Sequence, residues 1–414
     1  MSDNLTIPFL QTYRSVKLKN KDGKEYNITS IVFEISIFED IFSNSLTGEV
    51  VITDTFGASD LMNLTGNEKI TIELFVDPEN TEEVEIKEFF VYSVTNRIKN
   101  NPTSEVYKLQ FVSFESVLNE HTRVYSAIEG TNSSAVQQLF SQYISSEKPF
   151  EVESTNGSFK FVMPSWTPFE GINWYAGRSI SSESGGSYFL FYETMKGFSF
   201  KSVEKLITSS PVYEYRYEPS GNTFVAKDPS NIREYEIINM GDSIQGVAEN
   251  YTTLWTNDII RKKYVKKRFE IEKDNKGKLN DELIGVADKN GFDVSLKARR
   301  DIFGSEVITK PETRNVHSQT SSYTYDAIQT KLSAMRQFSN LKIRFLAFGN
   351  RKMKVGDVID MKFLQTKMIT TENKNDSEDK LLSGRYLVSA IRYIFKAQDF
   401  HISVEALKDS RKSQ

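Results

Sequence analysis

The chain has 414 residues, no cysteine and a formal net charge of −4. That length predicts two to four domains and a core that needs no covalent staple, since chains of this size bury roughly three quarters of their unfolded surface. The missing cysteines exclude structural disulfides and cysteine-ligated zinc and are compatible with assembly in a reducing cytosol. Mild acidity argues against wholesale phosphate binding.

The opening run Met1-Ser-Asp-Asn-Leu-Thr-Ile-Pro-Phe-Leu lacks the basic region and apolar run of a signal peptide. No stretch approaches the ~20 apolar residues of a membrane helix, so no stable membrane insertion is expected. Phe (29) and Tyr (19) are abundant, as in strand-rich proteins.

Residues 13–112 read as successive strands: Ile31-Val-Phe-Glu-Ile-Ser-Ile-Phe, Gly48-Glu-Val-Val-Ile-Thr-Asp, a strand with Ile70, Ile72, Leu74 and Val76 on one face, Phe89-Phe-Val-Tyr-Ser-Val and Glu105-Val-Tyr-Lys-Leu-Gln-Phe. Asp22-Gly23 and Gly66-Asn67 punctuate them, which predicts a small antiparallel barrel or sandwich.

Helical periodicity follows. Ser133 or Ser134 is positioned to cap a helix with Val136, Leu139, Phe140, Tyr143 and Ile144 on its apolar face. A second helix opens on a capping box, with Thr167 at the cap, Pro168 first in the helix and Glu170 three after the cap. Its stripe is Phe169, Ile172, Tyr175 or Ala176, and Ile180. Tyr188-Phe-Leu-Phe-Tyr-Glu and Phe198-Ser-Phe-Lys-Ser then make a hairpin around Thr194-Met-Lys-Gly197. Together these predict a compact α+β unit.

Strands return at Val212-Tyr-Glu-Tyr-Arg-Tyr and Ile232–Met240. Residues 258–322 turn charged and apolar-poor, broken by Gly277, Gly285 and Gly291, and read as an insertion. A third helix is expected at 324–338, then the strand Leu341-Lys-Ile-Arg-Phe. The chain closes in a meander from Met353 to Leu407, with turns at Gly356-Asp357 and Gln398-Asp399. In its last strand Phe400, Ile402 and Val404 face one way, and His401, Ser403 and Glu405 the other. No sequence identity links the two β modules, so periodicity alone does not establish a duplication.

Chemistry is sparse. His121, His317 and His401 have no partner at metal-ligand spacing, there is no cysteine nucleophile, and Ser182-Glu-Ser-Gly-Gly does not match a nucleophile elbow. We therefore expect no catalytic, cofactor-binding or metal residues and no enzyme, although chance carboxylate pairs leave a glycan hydrolase as an alternative. Arg261-Lys-Lys-Tyr-Val-Lys-Lys-Arg268 holds six basic residues in eight. A solvated ribbon balanced by Glu270, Glu272 and Asp274 is the simpler reading, with single-stranded nucleic acid or an acidic neighbour as alternatives. Trp166 and Trp174 are better placed to pack a helix on the hairpin than to form a carbohydrate platform. The polar loop 366–380 is expected to be mobile or to order on docking.

Three segments resemble the baseplate hub protein of contractile-tailed bacteriophages. Phe33-Glu-Ile-Ser-Ile-Phe-Glu-Asp-Ile with Leu46-Thr-Gly-Glu-Val-Val-Ile-Thr-Asp resembles its opening barrel. Pro164-Ser-Trp-Thr-Pro-Phe-Glu-Gly-Ile-Asn-Trp-Tyr-Ala with Phe191-Tyr-Glu-Thr-Met-Lys-Gly-Phe-Ser-Phe resembles its central unit. Val355-Gly-Asp-Val-Ile with Leu382-Ser-Gly-Arg-Tyr-Leu-Val-Ser-Ala-Ile-Arg resembles the close of its second barrel.

The resemblance implies an α+β, predominantly β fold: two tube-type antiparallel β-barrel domains, an intervening α+β domain and a charged insertion. The expected boundaries are 1–117, 118–210, 211–257 with 339–414, and 258–338. It also implies a homotrimer presenting six similar domains in a ring, adapting a six-fold tail tube to a three-fold cell-puncturing spike and lining a channel for DNA in transit. Implied partners are the central spike, the tail tube or tube-initiator protein, the wedge proteins and the tape measure protein. The implied location is the virion tail baseplate, after assembly in the host cytoplasm. A mildly acidic channel wall is expected from the charge. The hub of a phage-derived injection machine, pyocin or type VI-like, is the alternative within the same class.

Overall fold

Alternation of apolar and polar residues dictates most of the architecture, because successive strand side chains point to opposite faces. The computed structural model of the chain describes residues 12–77, 80–101, 103–217, 230–240, 251–258, 263–270, 277–283, 305–310, 330–332, 334–335, 337–338, 340–364 and 378–412. The first module contains Tyr13–Lys19 (β1), Glu25–Asn27 (β2), Val32–Asp40 (β3), Thr47–Asp54 (β4), the short helix Ala58–Met62 (α1), Lys69–Asp77 (β5), Asn80–Asn101 (β6) and Ser104–Val112 (β7). Along β4 the buried residues are Gly48, Val50, Ile52 and Asp54, and along β7 they are Glu105, Tyr107, Leu109 and Phe111. Each large apolar side chain removed from water in this way contributes about 1.5–3 kcal/mol.

The α+β unit follows as Phe114–His121 (α2), Ala127–Gly130 (β8), Asn132–Leu139 (α3) running into a π-helical turn Phe140–Ile144, Phe150–Val152 (β9), Phe159–Val162 (β10), Pro168–Ala176 (α4), Phe189–Thr194 (β11), Gly197–Ser202 (β12) and Val203–Ile207 (α5). The cap of α4 is as expected: Thr167 accepts from the Glu170 N–H, and the Glu170 carboxylate accepts from the Thr167 N–H at 2.8 Å. The cap of α3 lies earlier than expected. Thr131 supplies it, its hydroxyl accepting from the Ser134 N–H at 3.2 Å.

The second module comprises Tyr213–Tyr217 (β13) and Ile232–Met240 (β14), joined after an excursion by Leu341–Phe348 (β19), Val358–Phe363 (β20), Gly384–Lys396 (β21) and Asp399–Lys408 (β22). The excursion holds Tyr251–Asp258 (β15), Lys263–Glu270 (β16), Glu282–Leu283 (β17) and Ser305–Lys310 (β18); Ser410–Arg411 (β23) ends the chain's pairing. Strands β16, β15 and β18 form their own sheet, and β17 pairs with β23. The described residues of 330–337 are helical and Phe338 is in a turn, in line with the expected third helix, whose first turns lie outside the described residues.

Both modules belong to one thirteen-stranded sheet, ordered β14-β19-β22-β21-β3-β4-β7-β6-β5-β1-β2, with β20 and β13 branching from β21. Leaving out the β2 hairpin, the modules have the same connectivity. Taken in chain order, their strands neighbour one another as first-fourth-fifth-sixth-third-second: β1-β5-β6-β7-β4-β3 and β13-β20-β21-β22-β19-β14. The pairing directions agree except at the first strand, which is antiparallel to β5 in one module and parallel to β20 in the other.

The register repeats too. Phe90 opposite Val112 and Val91 opposite Phe111 correspond to Leu387 opposite Leu407 and Val388 opposite Ala406, and a bulge follows at Tyr92 and at Ser389. Bulges at Phe33 in β3 and Arg233 in β14 correspond in the same way. The Val91 N–H donates to the Glu68 carbonyl at 2.7 Å, as the Val388 N–H does to the Asp357 carbonyl at 2.9 Å. An internal repeat that residue identity conceals is therefore present in topology and register.

One expectation is corrected. The modules share one continuous sheet and are not two separately closed barrels: among the described residues no module closes by continuous pairing. In the second, Arg216 and Asn231 make only an isolated bridge between the first and second strands. In the first module β3 is not available for closure, because it pairs along residues 35–40 with β21 of the other. One continuous apolar core accordingly spans both modules, while the α+β unit has its own.

Candidate functional site

The feature that unites the molecule is the seam between β3 and β21, antiparallel from Ile35 opposite Phe395 to Asp40 opposite Ala390. On its core side Ile35, Ile37, Tyr393 and Phe395 are buried. The Tyr393 hydroxyl donates to the Met353 carbonyl at 2.8 Å. At the end of β3, Glu39 is buried and accepts from the Met195 N–H at 2.6 Å and the Val355 N–H at 3.0 Å. One carboxylate thus ties the first module to the hairpin turn of the α+β unit and to the second module. Burial pushes the Glu39 carboxyl up to about 7, against the pull of those two N–H donors.

The opposite side of the seam faces solvent and carries a charge ladder. Arg392 reaches Glu34 at 2.9 Å and the Ser36 hydroxyl at 3.1 Å, and lies 3.6 Å from Glu49, which Lys108 holds at 3.1 Å. Further along the same face, Glu405 is held by Lys342 and by Arg344, the latter at 2.7 Å. Partial burial would raise the Glu405 carboxyl, but the hydrogen bonds from Lys342 and Arg344 outweigh it and hold the group below the usual carboxylate range.

The α+β unit is bolted to the base of this wall. The Glu193 carboxylate accepts from the Leu46 N–H at 2.8 Å, and Lys148 bridges Glu193 and Glu115 at 2.7 Å each. Asn44 donates to the Phe191 carbonyl at 2.7 Å.

The candidates singled out in the sequence do not converge. His121 ends α2 on the surface; His401 lies on the solvent face of β22, 2.6 Å from Asp399; His317 lies outside the described residues. The alternation expected around His401 is observed, with Ile402 and Val404 buried beside it. Among the described residues no group of three or more His, Cys, Asp or Glu is arranged to hold a metal ion, and no helix is long and apolar enough to cross a membrane. The Ser182 hydroxyl donates to the Ser154 carbonyl at 3.2 Å in a loop that precedes β11 rather than in a strand-to-helix elbow.

Trp174 stacks on Phe161 at 4.0 Å and Trp166 lies 5.5 Å from the same ring, so these indoles pack on β10, while Phe169 of the same helix meets Phe191 and Phe198 of the hairpin. Of the basic run, Lys263–Arg268 lies in β16 paired antiparallel to β15; Arg261 and Lys262 are outside the described residues, as are 366–377 of the polar loop. The seam itself was missed from sequence. Its only trace was the pair of alternating strands that form it.

No protein-family model matches the chain, and no curated protein is similar in sequence. Solved structures do share its fold. A tail protein from Neisseria meningitidis MC58 is similar over 95% of this chain and 96% of that one, at 12% identity and a TM-score of 0.56. The 43 kDa tail protein of prophage MuSo2 from Shewanella oneidensis is similar over 95% of this chain and 98% of that one, at 8% identity and a TM-score of 0.55. The predominantly β α+β fold is therefore the fold of known tail proteins, the class to which the sequence resemblance pointed.

Proposed function

We propose that the chain is a non-enzymatic structural subunit of a phage tail baseplate: a hub that trimerises into a ring, adapts a six-fold tail tube to a three-fold spike and lines the channel for DNA. The observation that carries this reading is the pair of modules with one connectivity and one register, joined edge to edge through β3 and β21. Two equivalent arcs per chain let three chains make six equivalent arcs, which matches three-fold and six-fold neighbours without any chain adopting two conformations. Edge-to-edge closure also removes strand edges that would otherwise recruit unrelated chains.

In this reading the solvent face of the continuous sheet lines the channel. Its carboxylates Glu34, Glu49 and Glu405 are each matched by lysine or arginine, so the wall is charge-balanced rather than acidic, and DNA slides past without sustained counterion release. The four-part division into 1–117, 118–210, 211–257 with 339–414, and 258–338 belongs to the same proposal. The α+β unit and the insertion would reach the spike, the tail tube or tube-initiator, the wedge proteins and the tape measure protein.

Light scattering on the purified chain, alone and mixed with its spike, tests the proposal. A mass of three chains in either setting supports it; a monomer in both, or cleavage of peptidoglycan strands by the pure protein, overturns it.

A further inference from the structure

The internal seam prescribes a second one. In it, the free half of a second-in-order strand, β3, adds to the free half of a fifth-in-order strand, β21, beyond the point where β20 stops pairing at Leu387. The same two surfaces recur elsewhere in the sheet. Strand β14 is the counterpart of β3, and β6 is the counterpart of β21. Strand β5 pairs with β6 only as far as Phe90, and β7 then continues along the other side to Asn101. Among the described residues no strand pairs with the outer side of β14 past the Asn231 bridge, or with the β5 side of β6 past Val91.

We infer that β14 of one copy adds antiparallel to the Val91–Asn101 half of β6 in the next copy; this rests on the trimeric ring proposed above and names the contact that builds it. The register follows from the correspondence of the repeats. Ile394 opposite Ser36 becomes Ile98 opposite Glu236, and Ile391 opposite Glu39 becomes Val94 opposite Met240.

Two properties of these edges agree. Tyr92 and Ile98 on β6 are 51% and 60% exposed, and Ile238 and Met240 on β14 are 41% and 57% exposed, so both edges present large apolar groups that pairing would cover. Charge also complements: β14 presents exposed Glu234 and Glu236, and β6 presents exposed Lys99 next to Arg97, which Glu105 and Asp60 already hold, as Glu34 meets Arg392 and Lys396 across the internal seam. The contact is heterologous, and equal steps that return on themselves give a closed ring.

The cysteine-free chain permits a direct test. Directly opposed strand residues sit ~4.5–5.5 Å apart at Cα, within disulfide reach. The full-length variant carrying Ile98→Cys and Glu236→Cys is oxidised and run without reductant, with Ser36→Cys/Ile394→Cys as the internal control that cross-links within one chain. The expected result is conversion of monomer bands to covalent oligomers ending at three chains, with either single variant leaving monomers. Val94→Cys/Met240→Cys gives the same ladder. A trimeric mass without cross-linking in either double variant overturns this pairing and leaves the trimeric hub standing. Monomeric mass without cross-linking, both alone and mixed with the spike, overturns both.

Discussion

Arg392 on β21 holds the Glu34 carboxylate of β3 at 2.9 Å, although the two residues lie 358 positions apart in the chain. The pair is partly solvent-exposed, so its Coulomb energy is screened. Arg392→Ala is expected to cost about 0.5–1 kcal/mol, and a double-mutant cycle with Glu34→Ala to give a coupling of the same size. Ile37→Ala, on the buried side of the same seam, should cost about 2–5 kcal/mol through the cavity it leaves. Urea unfolding ranks the three variants; an ion pair worth more than the buried isoleucine would contradict this account of the seam.

Glu39 makes stability pH-dependent with a definite sign. Its folded carboxyl titrates at about 7, against ~4.3 in an unfolded chain. Between those values the folded state keeps a proton that the unfolded state releases, so this group's contribution falls as pH rises from ~4.5 to about 7 and is level on either side. The variant Glu39→Gln cannot ionise. Its stability relative to the native chain should therefore climb between pH 5 and pH 8, by on the order of a few kcal/mol. Urea midpoints of both proteins at the two pH values check this, and a constant difference would refute it.

Lys408 contributes in the opposite sense at higher pH. It is buried at the end of β22, where its ammonium donates to the Leu381 carbonyl at 2.9 Å and to the Ser383 carbonyl. Burial lowers its pKa to about 7, so the unfolded chain binds more protons between about 7 and ~10.4. Its contribution to stability should rise with pH across that window. Lys408→Met should abolish that rise in a thermal-melt pH series while leaving the limb below pH 7 in place.

Gly48 sits opposite Phe111 in the first module, and a Cβ there would lie 2.2 Å from the phenylalanine ring and 2.5 Å from the Ser36 carbonyl oxygen. Gly48→Ala is expected to destabilise by about 1–3 kcal/mol through overpacking. Adding Phe111→Ala removes the ring but not the carbonyl, so the double variant should recover only part of the loss on top of its own cavity cost. Calorimetry on the single and double variants gives the coupling.

The same pair explains why the repeat is invisible in the sequence. Where the first module sets Gly48 against Phe111, the second sets Ile343 against Ala406: small and large change places across one strand pair and the volume is conserved. Packing constrains the sum of such a pair, not its members, so residue identity decays while register persists. Local elements were legible because their causes are local. The Thr167 capping box, the Thr194–Gly197 hairpin and the alternation around His401 each lie within a few residues of the interactions that form them. The α3 cap was misplaced because Thr131, Ser133 and Ser134 all carry competent hydroxyls and only the backbone path selects among them. The β3–β21 seam was illegible because a strand edge binds through backbone groups that every residue possesses.

Because the two strands of that seam belong to a single polypeptide, their encounter is unimolecular. Dilution cannot separate them, and unequal synthesis cannot leave one without the other, since the tether holds them at high effective concentration. Any larger assembly would therefore come apart into whole two-module arcs, and half of its joints would be insured by peptide bonds.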